Sequence, residues 1–255
     1  MTLNHNLPGS LQPFAQKLQA VRKAESAPIS SLAASLVPET KEAAYAVQNF
    51  VASSMGPVKG WKVGASDALA EPSAAPLHGE TLFSDGAVIA ADFFRHRGVE
   101  VEFAYRFDRA VGADITRETV LAAVGSVHPA IEIVDTRFAQ PASQAPLAHM
   151  ADQQSHGALI LGPAFTDWTA FDPSHEHFVM RVDHRRVSEQ VGGNAAGDLS
   201  RLLVWLAGHA AARGMPIEAG TVVTTGSLSG AFFVPHRTHV NVRFYTLGEV
   251  SVFLA

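Results

Sequence analysis

From Lys59 onward the chain is built of short runs rich in β-branched and aromatic residues, each closed off by Gly, Pro or Asp. GWKVGAS, GAVIA, GVEVEFAYRF, HPAIEIVD, GALILG, HFVMRVDHRRVSEQ, TVVTTGS, THVNVRFY and EVSVFLA all have this form. Runs of this length and composition read as strands or hairpins, and they leave little room for helices. Two interruptions do have helical spacing. One is short, about 117–124, with Thr116 or Asp114 as its cap; the other is capped by Asp198, carries Leu199, Leu202, Leu206 and Ala210 on one face, and has Gly214 past its end. Ahead of Lys59, Leu11, Phe14, Leu18 and Val21 follow Ser10 at helical spacing, and Ala44, Val47 and Val51 follow Pro38 and Thr40 and stop at Gly56. The pattern predicts an α+β chain: a helical region over 1–58 and a mixed, largely antiparallel β domain over 59–255, packed as one unit. The stretches 67–76 and 139–148, rich in Ala, Pro and Ser, read as mobile cover over a site.

Composition removes several classes of function. At 47% hydrophobic and 17% charged, a chain of 255 residues buries a substantial core and is not a disordered or repeat protein. A net charge of −5 without a basic stripe argues against nucleic acid as partner. No apolar run approaches the roughly 20 residues of a membrane span. The opening MTLNHNLPGSLQPF has neither a basic n-region nor an apolar h-region, so the expectation is a cytoplasmic protein with no membrane partner. With no cysteine, disulfides, thiolate metal sites and a cysteine nucleophile are excluded.

The segment GVEVEFAYRF then raises a question of charge. Side chains alternate across a strand, so Glu100, Glu102, Ala104 and Arg106 share one face and Val99, Val101, Phe103, Tyr105 and Phe107 the other. Two neighbouring carboxylates are either the wet face of an amphipathic strand or a pair held together by a cation. Glu132, in VHPAIEIVDTRF, has apolar neighbours on both strand faces, so it is neutral, paired with Arg137 or Lys62, or bound to a metal. Together the three glutamates form an all-oxygen set, which suits a hard cation such as Mg²⁺, Mn²⁺ or Ca²⁺ rather than zinc. Lys62, between Gly60 and Gly64 in an apolar strand, is either an ordinary surface lysine or the local cation that an anionic substrate would need.

GWKVG, TLFSD, VEVEFAYRF, HPAIEIVDTRF, ADQQSHGALILG, LLVWLA, EAGTVVTTGSLSG and a closing LGEVSVFLA occur in that order. This order resembles the 2-keto-4-pentenoate hydratases and the 2-oxo-3-hexenedioate (4-oxalocrotonate) decarboxylases of the fumarylacetoacetate hydrolase superfamily, over roughly residues 59 to 255. The resemblance implies the β roll of that superfamily and a divalent ion, Mg²⁺ or Mn²⁺, on Glu100, Glu102 and Glu132. It implies Lys62 in the active site, with Asp85 or Glu80 as a second acid–base group. Ser155 and the TGSLSG loop, with Thr225, Gly226 and Ser227, would contact substrate. The implied substrate is a small 2-oxo or 2-hydroxy-dienoic acid from aromatic-compound degradation, and the implied assembly a homo-oligomer. A glutamate as third ligand looks like the hydratase and decarboxylase branch. ADQQS stands where the family usually reads ADNAS, and Gly98 where proline is frequent.

Other motifs are weaker. His175 and His177 lack a third ligand at a familiar zinc spacing. GSLSG has Leu228 where a nucleophile elbow needs serine, and GGNAAG lacks the spacing of a dinucleotide loop. The favoured expectation is a metal-dependent hydratase forming a 4-hydroxy-2-oxo acid, with a decarboxylase as the alternative. The competing reading is a non-enzymatic β-rich binding protein in which the glutamates are a wet face.

Overall fold

A computed structural model describes residues 7–255. The first six residues, where the 1–58 region and the opening segment begin, lie outside the described residues. In chain order the elements are α1 (Gln12–Arg22), α2 (Lys41–Ala52), β1 (Val58–Gly64), β2 (Ser73–His78), β3 (Leu82–Ser84), β4 (Ala87–Ile89), β5 (Gly98–Phe107), α3 (Arg117–Ala122) and β6 (Val124–Val134). There follow α4 (Pro146–Ala151), β7 (His156–Leu161), β8 (His177–Val182), β9 (Arg185–Val191), α5 (Leu199–Ala212), β10 (Val222–Thr224), β11 (Phe232–Phe233), β12 (Thr238–Phe244) and β13 (Gly248–Leu254). Among the described residues, no helix is long and apolar enough to cross a membrane.

The strands form two sheets, one ordered β2-β1-β10-β5-β6-β7-β3 with β11 on β5, the other β4-β13-β12-β8-β9. Pairing is antiparallel except for β1 with β10, β3 with β7 and β4 with β13. This is the mixed, largely antiparallel α+β architecture that the strand runs predict. The alternation of β5 explains its central place. Val99, Val101, Phe103, Tyr105 and Phe107 enter the main core. On the opposite face Ala104 packs with Leu77, Ala130, Leu159 and Val222. The face that carries the glutamates is therefore not wet, and Glu102 and Glu132 are 1% and 0% exposed. The wet-strand alternative fails because Glu102 and Glu132 are buried among the apolar residues that neighbouring strands place on that face.

The helices form where their caps and periodicity dictate. The Thr40 side chain accepts the Ala43 N–H at 3.2 Å to start α2, Thr116 caps α3, and Asp198 accepts from Ser200 N at the head of α5. Phe14, Leu18 and Val47 pack with Phe138, Ala148 and Ala151, so the N-terminal helices seat against α4. Both stretches expected as mobile cover contain regular structure. Residues 73–78 form β2, whose Ala and Pro content hides it in the sequence; as an edge strand it tolerates Pro76. Pro146, at the first turn of α4, starts a helix rather than breaking one. TVVTTGS is shorter as a strand than its composition suggests, since β10 ends at Thr224.

The turn after α4 is held by one buried ion pair. Asp152 accepts from the Thr136 hydroxyl at 2.7 Å, from Arg137 N at 2.8 Å and from Arg137 Nε at 2.5 Å. The Arg137 guanidinium also donates to the carbonyls of His156 and Asp152 at 2.9 and 3.0 Å. Arg137 is thereby committed to Asp152 and is not the partner of Glu132. Replacing Asp152 by Ala leaves that guanidinium buried without its carboxylate. The expected loss is about 3–5 kcal/mol, read from urea unfolding midpoints; a change under about 1 kcal/mol would show that the pair does not anchor the turn.

Candidate active site

The register of β5 and β6 gathers the carboxylates. Glu100 stands directly opposite Glu132, and Glu102 lies one same-face position along, opposite Ala130. One carboxylate oxygen from each of the three lies within 4.8 Å of the others. Lys62 arrives from two strands away, since β1 pairs with β10 at Lys62–Thr224 and β10 with β5 at Thr224–Ala104. Its Nζ donates to Glu132 Oε1 at 2.7 Å and to the Gln154 carbonyl at 3.2 Å. His156, at the start of β7, places Nδ1 2.9 Å from the same Oε1 and Nε2 3.0 Å from the Thr81 hydroxyl. Glu102 accepts from the Thr224 hydroxyl and, at 3.1 Å, from Gly226 N.

These contacts set the ionisation of the cluster. Burial, followed by the charges of Glu132 and Glu100, pushes the Glu102 carboxyl well above its ordinary range. Burial also raises Glu100, against the pull of Lys62. Burial acts on Glu132 in the same sense, but Lys62 and His156 outweigh it and hold that carboxyl at about 2. Lys62 is raised because its three carboxylate neighbours overcome the opposing effect of burial. Burial lowers His156 to about 4, so at neutral pH its ring is uncharged and Nδ1–H donates to Glu132.

With all three glutamates ionised, as a bound cation would keep them, three carboxylates against one ammonium leave a deficit of two positive charges, which is the charge of one divalent cation. Glu132 Oε1 takes both hydrogen bonds, while Oε2 is buried with no hydrogen-bond partner. Glu100, Glu102 and Glu132 could thus hold one hard metal ion, and an unpartnered buried oxygen is what such a ligand set leaves for it.

A cavity of about 640 Å³ opens on this cluster. Lys62 and Glu100 give it charge, Val134 and Phe233 contribute apolar wall, and Gln154 and Ser155 also line it. Gln153, Gln154 and Ser155 are consecutive left-handed residues with φ of 49, 50 and 59°, a costly backbone for residues with a Cβ. That turn aims the Gln154 carbonyl at Lys62 and its amide at Ser73 Oγ, 2.7 Å away.

The structure thus brings together Glu100, Glu102, Glu132 and Lys62, with Ser155 on the cavity wall and Gly226 bonded to Glu102 through its N–H. It does not bring the remaining expected residues there. Asp85 sits on an exposed turn, where its carboxylate accepts from Ser251 N at 2.7 Å and pins β13. Glu80 is exposed beside Arg22 in a separate cavity. Thr225 is buried, with its N–H 3.3 Å from the Phe103 carbonyl, and Ser227 Oγ accepts from Ser229 N. These two serve the loop backbone. Sequence reading missed Thr224, Gln154 and His156, and also His96 and His149 on the cavity wall. The only signal for the first three was that Gln154 lies within ADQQS and that His156 and Thr224 border ADQQS and TGSLSG.

Residues 59–252 match the family described as fumarylacetoacetate (FAA) hydrolase C-terminal. The chain is 31% identical over 151 residues to 2-hydroxyhexa-2,4-dienoate hydratase of Comamonas testosteroni, a match covering 58% of this chain and 56% of that protein, so slightly over half of the relative's length. It is 27% identical over 249 residues to 2-keto-4-pentenoate hydratase 2 of Dechloromonas aromatica strain RCB, covering 91% and 93%. Its fold is similar to that of 4-oxalocrotonate decarboxylase from Pseudomonas putida G7 complexed with magnesium and adipate, with a TM-score of 0.78, 24% identity, and 93% and 97% of the two chains covered.

The depressed His156 generates a pH effect. A histidine at about 4 when folded and 6.5 when unfolded adds stability that is complete above pH 6.5 and is lost as the pH falls towards 4. The magnitude is about 3 kcal/mol. In chelator, the stability gap between wild type and His156→Asn, whose amide keeps the bond to Glu132, should narrow by about that amount between pH 7.5 and 4 in urea titrations. An unchanging gap would contradict the assignment.

Proposed function

The chain belongs to the fumarylacetoacetate hydrolase C-terminal family, and on that premise we propose that it is a divalent-metal-dependent hydratase converting a 2-hydroxy-2,4-dienoate to a 4-hydroxy-2-oxo acid. The observation that carries this reading is the Glu100–Glu102–Glu132 cluster, half-buried at Glu100 and buried at the other two, two positive charges short of neutrality when ionised, and opening on a cavity beside Lys62. All-oxygen donors favour Mg²⁺ or Mn²⁺. Such an ion, when bound, supplies a Lewis acid for a 2-oxo acid and stabilises negative charge at the C2 oxygen.

The chain's own residues do the rest. Lys62, fixed between Glu132 Oε1 and the Gln154 carbonyl, keeps an ammonium beside the substrate's carboxylate end and can hold or release a proton there. Thr224 and Gly226 N–H bind Glu102 from the far side and orient it. His156 fixes Glu132 through Oε1, leaving Oε2 unpartnered. Val134 and Phe233 give the conjugated chain an apolar wall to lie against. One observation ranks hydration above decarboxylation of 2-oxo-3-hexenedioate: among the described residues, no lysine or arginine apart from Lys62 lines the cavity to receive a second carboxylate.

The test follows the absorbance of 2-hydroxypenta-2,4-dienoate with Mg²⁺ or Mn²⁺ added or chelated, in wild type and Glu102→Gln. The diene should be consumed only with metal, the variant should lose roughly 100-fold or more in rate, and metal at 100 times its Kd should stabilise wild type by about 2.7 kcal/mol. A diene that persists at saturating metal defeats the hydratase reading.

A further inference from the structure

Two histidines on the cavity wall have no part in the chemistry above. His96 lies in the loop before β5, where its backbone N–H donates to Asp135 Oδ1 at 2.7 Å and its Nε2 stands 3.1 Å from the Phe138 carbonyl oxygen. A carbonyl only accepts, so Nε2 carries a hydrogen, and in the uncharged ring Nδ1 keeps its lone pair. His149, on α4, has Nε2 3.2 Å from the backbone nitrogen of Gln144. That N–H only donates, so Nε2 is the acceptor and Nδ1 carries the hydrogen. The main chain thus fixes opposite tautomers in the two rings.

Both rings sit against Phe138, His96 through its carbonyl and His149 with ring centroids 5.0 Å apart. Both residues line the cavity that holds Lys62 and Glu100. Among the described residues, neither Nδ1 has a hydrogen-bond partner in the protein. With both rings uncharged, the cavity wall therefore carries one acceptor and one donor. That pair complements a water or hydroxyl, which donates once and accepts once, and not a carboxylate, which only accepts. His149 is poorly suited to becoming a counter-ion: protonation would set two N–H groups against each other at Gln144, and burial already lowers its pKa.

We propose that His96 and His149 hold the water that adds to the substrate, with His149 donating to its oxygen and His96 Nδ1 taking its proton. This rests on the hydratase reading. Once the diene has become the 2-oxo-3-enoate, the water oxygen forms a bond to C4, its proton passes to His96 Nδ1, and the C3–C4 π pair moves towards the C2 oxygen. Lys62 delivers a proton to C3, which restores the carbonyl, and the proton held by His96 returns to Lys62 through solvent, so one water is gained and nothing is oxidised or reduced. The Phe138 carbonyl orients the His96 ring, as a third group orients the base of a triad.

His96→Gln tests this, because its amide nitrogen can keep the bond to the Phe138 carbonyl while the Nδ1 acceptor is lost. Two reactions are compared: hydration of 2-hydroxypenta-2,4-dienoate, and metal-dependent exchange of the C3 hydrogens of saturated 2-oxopentanoate in deuterium oxide, followed by proton NMR. Exchange requires enolisation but no added water. The variant should lose roughly 100-fold or more in hydration and less than about threefold in exchange. His149→Gln, whose amide oxygen can still accept from Gln144 N–H, should lose about tenfold in hydration alone. Hydration retained within about threefold by His96→Gln, or hydration and exchange falling together, overturns the water role while the hydratase reading stands. A wild type that neither hydrates nor exchanges defeats the hydratase reading and this inference with it.

Discussion

The molecule is organised around one electrostatic problem. At an effective dielectric of about 20, two charges 4.8 Å apart repel by about 3 kcal/mol, and three carboxylates make three such pairs. Lys62 offsets part of this, at the cost of burying an ammonium, and its hydrogen bonds to Glu132 and the Gln154 carbonyl make that burial tolerable. Each neighbouring element serves the same cluster. β10 runs between Lys62 and the glutamate strand and supplies Thr224 to Glu102; β7 supplies His156 to Glu132; and the turn after α4 supplies the carbonyl under Lys62.

Rigidity is concentrated where the charges are. β5 is packed on both faces, with the aromatic core on one and Ala104 against Leu77, Ala130 and Leu159 on the other. A one-residue slip of β5 against β6 would turn the glutamates into the aromatic core, so the hydrophobic pattern fixes the register that joins Glu100 to Glu132. The left-handed run from Gln153 to Ser155 is the opposite kind of feature, since it is unfavourable locally and persists because Arg137 and Asp152 hold its base. Strain at that turn and the buried ion pair beneath it form one device for directing a main-chain carbonyl at an ammonium.

Much of this was legible in the sequence, for identifiable reasons. Alternation in GVEVEFAYRF places Glu100 and Glu102 on one face, and the apolar surroundings of Glu132 forecast a buried carboxylate in need of a partner. The caps Thr40, Thr116 and Asp198 mark their helices because a side-chain acceptor at a helix start is a local signal. β2 was not legible, since SAAPLH has no β-branched residue and owes its strand form to pairing with β1. Asp85 and Glu80 were misplaced because proximity in sequence to the LF pair says nothing of direction: one is drawn outward by Ser251 and the other lies near Arg22. His156, His96 and His149 carry no periodic or spacing signal. Their roles are set by what each ring nitrogen meets in three dimensions, namely Glu132, the Phe138 carbonyl and the Gln144 N–H.

The two kinds of chemistry in the cavity therefore have separate structural origins. The charged end is written into paired strands, where moving one residue means moving the register of a whole sheet. The two cavity histidines sit outside the strands, in the loop before β5 and on short α4, and are tied to main-chain atoms on neighbouring segments. A substitution in those segments changes which hydrogen-bonding groups meet the far part of a substrate and leaves the carboxylates and Lys62 in place. The sheet sets what kind of bond can be polarised, and the loop and helix set what can be added or accepted there. On the reading proposed above, the charges lie on strands whose register is fixed by packing, while the two histidines lie on a loop and a short helix where one side chain can be replaced without shifting that register.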